Sequence, residues 1–418
     1  MTVRVSTLPN GLTVATDSMA GVETVSLGVW VGVGTRHETA EVNGVAHLVE
    51  HMMFKGTRRR SAFAISEEIE AVGGHLNAYT TREQTAYYAK VLAEDTGLAL
   101  DLIADMLQHS LIDEAELARE RAVVLQEIGQ AEDTPDDIIF DHFQATAYPG
   151  QAIGRPVLGE ASIVESLSRP VLADYVANRY RGSTMVVSAA GRVDHDRLAD
   201  MAAKAFADLP SGGDRNAEPA RYQGGDFREE RDLEQLHLVM GFDGVPVHDP
   251  DYYGHSVLST LLGGGMSSRL FQEVREKRGL VYSIYTFAAG YHDGGTFGIY
   301  AGTGPEQVNE LVPIVCDEIV RVADDVTEEE VARARAQLRA GTLMALESSM
   351  SRCEQLGQHI LTFNRPIPVE EVVAKIQAVD LDTVRRLARR LRSSRPTLAA
   401  IGPLARLEDY DRIAARLA

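Results

Sequence analysis

Residues 24–32 read TVSLGVWVG, a run of β-branched and apolar side chains that is typical of a half-buried strand. A second strand pattern lies at Thr85–Leu92. Apolar residues at three- and four-residue spacing predict helices at Asn43–Phe54, Ala62–Val72, Thr96–Gln108 and Glu114–Gln130. Several successive helices between strands indicate an α+β fold with largely antiparallel sheets, because a regular parallel array would alternate single strands and helices.

The strand pattern occurs twice in the chain. Glu23 opens the first strand run, and Glu234, 211 positions later, opens a similar run, EQLHL. The same separation links two further pairs of segments, Thr85–Ala89 with Thr296–Tyr300 and the strand ending at Gly191 with the strand ending at Gly402. One offset shared by three strands favours a duplicated unit over chance similarity between generic strands.

A polar break interrupts the chain near its midpoint. Residues 210–226 read PSGGDRNAEPARYQGGD, which is typical of a linker between domains. We therefore expect a first domain at residues 1–209, a linker at 210–230 and a homologous second domain at 231–418.

The composition restricts the function classes. The 418 residues include 41 lysines and arginines against 61 aspartates and glutamates, a net charge of −20, so the surface would repel nucleic acid and attract basic ligands. The two cysteines, Cys316 and Cys353, exclude a disulfide framework and a cysteine-based zinc module. The sequence has no long apolar segment and Met1–Asn10 alternates like a strand, so we expect a cytoplasmic protein without signal peptide or membrane insertion.

The strongest chemical signal is His47-Leu48-Val49-Glu50-His51. In a helix, His47, Glu50 and His51 project from one face. Two imidazoles one turn apart can bind one Zn²⁺, and the carboxylate between them is placed to accept a proton from an attacking water. The alternative is a surface helix with two spare histidines, but this inverted order of the motif is typical of metallopeptidases.

A catalytic zinc takes a third protein ligand, which must come from elsewhere in the fold. The predicted helix at Asp113–Gln130 offers Glu120 and Glu127, seven positions apart and therefore on one face. An apolar run at Ala122–Leu125 would bury this helix, and a carboxylate beside buried surface needs a partner such as a metal ion. Either glutamate could instead be an ordinary exposed residue.

The second half of the chain lacks these chemical groups. At the offset of 211, leucines 258, 261 and 262 replace the histidine, glutamate and histidine of the motif. At a local offset of 214, Ala334 and Gly341 replace the two glutamates. If the two halves share a fold, the motif residues are not needed for folding and are better explained by function.

Five segments carry a resemblance to a known family. The first half contains GVAHLVEHMMFKGT at 44–57, GGHLNAYTTREQTAYYAKV at 73–91, ERAVVLQEI at 120–128 and DDIIFDHFQATAY at 136–148. The second half contains GGGMSSRLFQEVREKRGLVYS at 263–283. With these segments the chain resembles the inverzincin zinc metallopeptidases, which include pitrilysin, insulysin and the processing peptidases. It is most similar to the β subunit of mitochondrial processing peptidase and its bacterial relatives.

The resemblance implies a role for each residue of the metal site. His47 and His51 would bind one Zn²⁺ per chain together with Glu127 as the third ligand. Glu50 would be the general base, and Glu120 would orient a ligand and tune its basicity.

Seven further residues match positions that contact the substrate in the family: Phe54, Asn77, Tyr79, Asp137, Asp141, Arg275 and Tyr282. The phenylalanine would line an apolar pocket beside the scissile bond, and the asparagine and Tyr79 would lie on an edge strand that pairs with the substrate backbone. The two aspartates would hold an arginine of a basic presequence. Arg275 and Tyr282 would act catalytically, by reaching the bound peptide and its scissile carbonyl.

The resemblance therefore implies two duplicated α+β domains that enclose a peptide-binding cavity, with the metal in the first domain and substrate-binding residues in both. It implies a zinc-dependent endopeptidase that cleaves extended, basic, presequence-like peptides. Two alternatives remain within the family: a general oligopeptide-degrading peptidase and a non-catalytic core or assembly subunit. We expect a homodimer, with a heterodimer containing a related subunit as the alternative.

Overall fold

The computed structural model describes residues 3–418. Its strands are β1 (Val3–Thr7), β2 (Thr13–Ser18), β3 (Thr24–Val31), β4 (His75–Thr80), β5 (Thr85–Leu92), β6 (Met185–Gly191), β7 (Gly225–Glu230), β8 (Leu236–Asp243), β9 (Val281–Gly290), β10 (Gly295–Thr303) and β11 (Thr397–Gly402). Its α-helices are α1 (Val45–Met53), α2 (Ala62–Ala71), α3 (Thr96–His109), α4 (Glu114–Glu132), α5 (Pro135–Ala147), α6 (Ala161–Ser166), α7 (Arg169–Arg179), α8 (His195–Ala205), α9 (Tyr252–Gly263), α10 (Val308–Asp325), α11 (Glu328–Ala345), α12 (Ser349–Phe363), α13 (Val369–Gln377), α14 (Leu381–Leu391) and α15 (Tyr410–Leu417).

The chain forms two compact units, and each contains one sheet. The first unit comprises residues up to 129, 155–218 and 344–367, and the second comprises 130–154, 219–343 and 368–418. Helix α12 packs on β2, β3 and β6 in the first unit, and α5 packs on β7, β8 and β11 in the second. The predicted division, with domains at 1–209 and 231–418, would place α5 in the first unit and α12 in the second. Composition alone does not reveal which sheet a helix covers.

The sheet of the first unit has the order β1-β2-β6-β3-β5-β4. Its strands are antiparallel except for the parallel pair β2 and β6. Strand β3 is buried continuously from Val25 to Val31, since α3 packs on it and α12 also covers it. Burial on both faces explains why its sequence is apolar at most positions instead of strictly alternating.

The sheet of the second unit repeats this arrangement without a counterpart of β1. Its order is β7-β11-β8-β10-β9, and β7 with β11 is again the parallel pair. Strands β7 to β11 thus correspond in position to β2, β3, β4, β5 and β6 of the first sheet. The predicted duplication and the α+β class with largely antiparallel sheets are both confirmed.

Two glycines show how closely the units correspond. Gly191 ends β6 with φ 126°, and Gly402 ends β11 with φ 128°. A Cβ atom would lie 2.2 Å from the Thr24 carbonyl oxygen at Gly191 and 2.5 Å from the Gln235 carbonyl oxygen at Gly402. Both the positive φ and this close approach require glycine. The contacted residues, Thr24 and Gln235, are also 211 positions apart.

None of the described helices combines the length and the apolar character that are needed to cross a membrane.

Candidate metal centre

Helix α1 presents the histidine–glutamate–histidine motif on one face. Leu48, Val49, Met52 and Met53 are buried in the core of the first unit. The three motif side chains lie on the other face of the helix and are half-buried. The apolar face therefore fixes the helix against the core and directs the chemical groups away from it.

His47 and His51 lie together with Glu127 of helix α4. The Glu127 Oε2 atom is 3.7 Å from the His47 Nε2 atom and 3.6 Å from the His51 Nε2 atom. The three ligand atoms lie within 4.8 Å of one another. Two atoms bound to one zinc ion at about 2.0–2.2 Å are at most about 4.4 Å apart, so both measured pairs fit a shared ion.

The protonation state of His47 suits metal binding. Burial and, to a smaller extent, the neighbouring His51 together lower the pKa of its imidazole to about 4. The ring is therefore neutral near pH 7 and keeps a lone pair for a metal ion. Its Nδ1 atom is buried without a hydrogen-bond partner among the described residues.

A chain of polar contacts orients His51. Its Nδ1 atom is 3.0 Å from the Glu120 Oε2 atom, and the Lys55 ammonium lies 2.8 Å from the other oxygen of the same carboxylate. Glu120 is buried, so these contacts satisfy a charge that would otherwise be unpaired. A carboxylate on Nδ1 leaves Nε2 of the ring for a metal ion, which agrees with the expected orienting role of Glu120.

Glu50 is held by the neighbouring strand β4. The Thr80 hydroxyl donates a hydrogen bond of 2.5 Å to the Glu50 Oε2 atom. Burial raises the pKa of the Glu50 carboxyl, while the Thr80 hydrogen bond and His51 oppose this shift. A carboxylate with a raised pKa is a better proton acceptor than an exposed one.

Strand β4 forms one edge of the first sheet and shows two different faces. Thr80 points toward the motif. Tyr79 points to the opposite face, where its hydroxyl donates to Glu354 over 2.9 Å and accepts from the Trp30 indole over 3.2 Å. Asn77 is exposed on the same face as Tyr79, because side chains two positions apart on a strand point the same way. The side chains of Tyr79 and Asn77 are therefore not beside the histidines, and their contact with substrate stays a prediction.

The remaining predicted residues occupy other positions. Phe54 caps the C-terminus of α1 and packs partly against the core. Asp137 and Asp141 lie one turn apart on α5, and Arg275 and Tyr282 lie near the start of edge strand β9, so all four belong to the second unit.

Arg275 and Tyr282 contact each other within the second unit. The guanidinium carbon of Arg275 is 5.9 Å from the centre of the Tyr282 ring and 4.9 Å from that of Phe271. Tyr282 is 77% exposed, so most of its ring is available to a ligand.

The second unit has no equivalent of the metal centre. Helix α9 carries Leu258, Leu261 and Leu262 at the corresponding positions, and all three are buried in the core. Both units fold around the same sheet order, yet the described residues of the second offer no histidine–carboxylate cluster of this kind. The duplicated fold therefore does not need the polar residues of α1.

Two family models match the chain. Residues 13–161 match the model described as insulinase, peptidase family M16, and residues 166–338 match the peptidase M16 inactive domain. The chain is 41% identical over 413 residues to an uncharacterized zinc protease of Streptomyces coelicolor, covering 96% of this chain and 90% of that protein. This chain belongs to peptidase family M16.

Other M16 relatives are named processing peptidases. The chain is 39% identical to the probable mitochondrial-processing peptidase subunit beta of Arabidopsis thaliana, covering 99% of this chain and 81% of that protein. Identity to the human mitochondrial-processing peptidase subunit beta is 38%, over 98% of this chain and 86% of that protein.

Two solved structures share the M16 fold. A chain of complex III2 from Candida albicans with Inz-5 bound gives a TM-score of 0.90 at 24% identity, with full coverage of both chains. The peptidase M16 inactive domain from Pseudomonas fluorescens gives a TM-score of 0.89 at 20% identity, over 98% of this chain and 99% of that one.

The structure adds two residues to the candidate metal centre that the sequence analysis did not identify. Thr80 contacts Glu50, and Lys55 contacts Glu120. Lys55 follows His51 by four positions and lies two residues beyond the end of α1, so its closeness to His51 in the chain is the signal that could have indicated it. Strand alternation places Thr80 on the face opposite to Tyr79, but no local pattern shows that this face covers α1.

Proposed function

We propose that the chain is a zinc-dependent endopeptidase that hydrolyses extended peptides, with a preference for basic, presequence-like ones. The convergence of His47, His51 and Glu127 on one point carries this proposal. The duplicated fold strengthens this proposal. Buried leucines occupy the motif positions in the second unit, so the polar motif residues are not needed for the fold. The zinc protease and processing peptidase names of the M16 relatives support the same class of activity.

His47, His51 and Glu127 would hold the ion, and Glu120 would orient His51. Zinc, when bound, polarises a carbonyl group and makes water more acidic. Glu50 would accept a proton from the attacking water and pass it to the amine that leaves. Thr80 would hold the Glu50 carboxylate in one orientation through its hydrogen bond.

Edge strand β4 supports the recognition of an extended peptide. Its unpaired side can add a strand through main-chain hydrogen bonds, which read the peptide largely without regard to sequence. Arg275 and Tyr282 would contribute from the second unit, by positioning the peptide and stabilising charge on its carbonyl oxygen. Asp137 and Asp141 would add the preference for an arginine side chain.

We propose a cytoplasmic homodimer as the working form. The M16 relatives named as subunits, together with the likeness to a chain of complex III2, keep a partner subunit as the alternative. Sedimentation of the purified chain, alone and at increasing concentration, measures its association directly. A monomer that is fully active would contradict the homodimer.

The decisive experiment compares wild type with Glu50→Gln. The variant should bind one zinc per chain and lose peptide hydrolysis by at least about 100-fold, because it removes a proton acceptor and no ligand. Zinc content is measured by elemental analysis and cleavage by mass spectrometry of basic and neutral peptides, with and without chelator. Cleavage that survives chelation would contradict the zinc mechanism, and equal cleavage of both peptide classes would favour the general oligopeptidase. A wild type that binds zinc and cleaves nothing would favour the non-catalytic subunit.

A further inference from the structure

Glu38 is a buried carboxylate at the beginning of helix α1. It is 5% exposed and lies six positions before Gly44, the N-cap residue of α1. Its Oε2 atom accepts a hydrogen bond of 2.9 Å from the Gly44 N–H, and its Oε1 atom accepts one of 2.7 Å from the Ala46 N–H. Ala46 directly precedes His47 in the chain.

Helix α1 depends on this carboxylate for its N-terminal cap. The first N–H groups of a helix have no partner within the helix and need acceptors from elsewhere. The N-cap residue, Gly44, has no side chain that could accept them, and no side-chain cap is present at that position. Glu38 supplies the acceptors from the preceding segment. Burial raises the pKa of its carboxyl to about 7, and in the ionised form its charge faces the positive end of the helix dipole.

The carboxylate of Glu38 is itself held in place. The side-chain amide of Asn43 donates to the Glu38 Oε2 atom over 2.9 Å and to the Pro156 carbonyl oxygen over 3.2 Å. The Arg155 guanidinium donates to the main-chain carbonyl oxygen of Glu38 over 2.8 Å. Asn43 is fully buried, so the cap is a packed part of the first unit and not a surface contact.

We propose that Glu38 is a positioning residue for the metal centre. By capping α1 one residue before His47, it fixes the first turn of the helix, so that both histidines are in place before an ion binds. This role rests on the proposed zinc site. Without the cap, the first turn would fray, and zinc binding would have to reorder it.

The test is the zinc affinity of Glu38→Gln. The amide keeps the shape of the side chain, but its NH₂ group must face at least one of the N–H groups that now donate to the carboxylate. We expect zinc to bind about tenfold more weakly, measured by competition with a chelator, which corresponds to about 1.4 kcal/mol. In zinc-free protein, the amides of Gly44 and Ala46 should exchange with solvent faster, while those of α4 should not change.

Asp194→Ala is the matched control. Asp194 caps α8 of the same unit by accepting from the Arg197 N–H over 2.8 Å, so its loss removes a cap distant in sequence from the motif. Its zinc affinity should equal that of wild type. An equal loss in this control would show a general effect of stability and overturn the role of Glu38.

Asn43→Ala keeps the test decisive if Glu38→Gln does not fold. This variant removes one donor to the Glu38 carboxylate and leaves the carboxylate itself, so a smaller loss in the same direction is expected. Unchanged zinc affinity in the Glu38 variant, or in the Asn43 variant where the former is insoluble, overturns the proposal. A wild type that binds zinc and hydrolyses no peptide would contradict the proposed function instead.

Discussion

Thr80 donates its hydroxyl hydrogen to the carboxylate of Glu50, and this bond of 2.5 Å joins edge strand β4 to helix α1. The strand is the element on which an extended peptide would pair, and the helix carries the proposed base and two proposed ligands. A bond to Oε2 restricts the rotation of the carboxylate. Strand β4 therefore restricts the orientation of the Glu50 carboxylate.

Replacement of Thr80 by valine should impair the chemical step. Valine keeps the shape and removes the donor, and a hydrogen bond to a charged group contributes about 1.5–3 kcal/mol, so kcat should fall about tenfold to 150-fold. KM and zinc content should stay near those of wild type. Thr80→Ser, which restores the hydroxyl, should recover most of kcat; a valine variant with wild-type kcat would show that the bond has no catalytic role.

The contact between Thr80 and Glu50 shows what the sequence could and could not predict about the site. The helical period placed His47, Glu50 and His51 on one face of α1, since three and four positions suffice to define that face. Thr80 is 30 positions from Glu50. Its contribution depends on which face of β4 covers α1, and no local pattern states this.

Replacement of Glu120 should weaken zinc binding without removing a ligand. Glu120→Ala deletes the acceptor on His51 Nδ1, and losing such an outer partner reduces metal affinity about 10- to 100-fold. Glu120→Gln, which keeps an acceptor and loses the charge, should give an intermediate affinity. Competition with a chelator measures the zinc affinity of wild type and of both variants.

Glu116→Ala is the control for this series, because Glu116 lies on the same helix and pairs with Arg119 at the surface. Its zinc affinity should match wild type. A Glu120→Ala protein that binds zinc as tightly as this control would contradict the orienting role of Glu120.

The second unit should contribute to turnover and not to metal binding. Arg275→Ala and Tyr282→Phe should each lower kcat/KM while the zinc content remains one per chain, because both residues lie outside the unit that holds the ligands. Mixing Glu50→Gln chains with Arg275→Ala chains tests whether a site is shared between chains. Partial recovery of activity would show sharing, and no recovery after demonstrated exchange would show that each chain works alone.

The architecture was predictable where signals are local. Helices α1 to α4 agree with the predicted segments to within two residues at each end, because their apolar spacing and their end residues are both local. The sequence did not predict that α5 belongs to the second unit and α12 to the first. Each is an ordinary amphipathic helix, and its sheet is decided by tertiary contacts such as those of Phe143 in the second unit and Cys353 in the first.

The preference for positively charged substrates offers the sharpest test of the processing-peptidase hypothesis. Asp137 is exposed and Asp141 half-buried, one turn apart on α5, so two carboxylates on one face can pair with a guanidinium. We expect a preference for arginine near the cleaved bond of about tenfold to 150-fold in kcat/KM, the value of a charged hydrogen bond of about 1.5–3 kcal/mol. The net charge of −20 would add a long-range attraction for basic peptides.

Salt separates these two contributions. Long-range attraction is screened within about 8–10 Å at ordinary ionic strength, whereas a direct ion pair persists. Peptides with arginine, lysine or alanine at one position, compared at low and high salt in wild type and in Asp137→Asn/Asp141→Asn, therefore identify the source of any preference. Arginine preference that is absent from wild type at high salt would favour a general oligopeptidase. Preference that survives the double substitution would assign the specificity to residues other than Asp137 and Asp141, because neutral amides cannot form the ion pair.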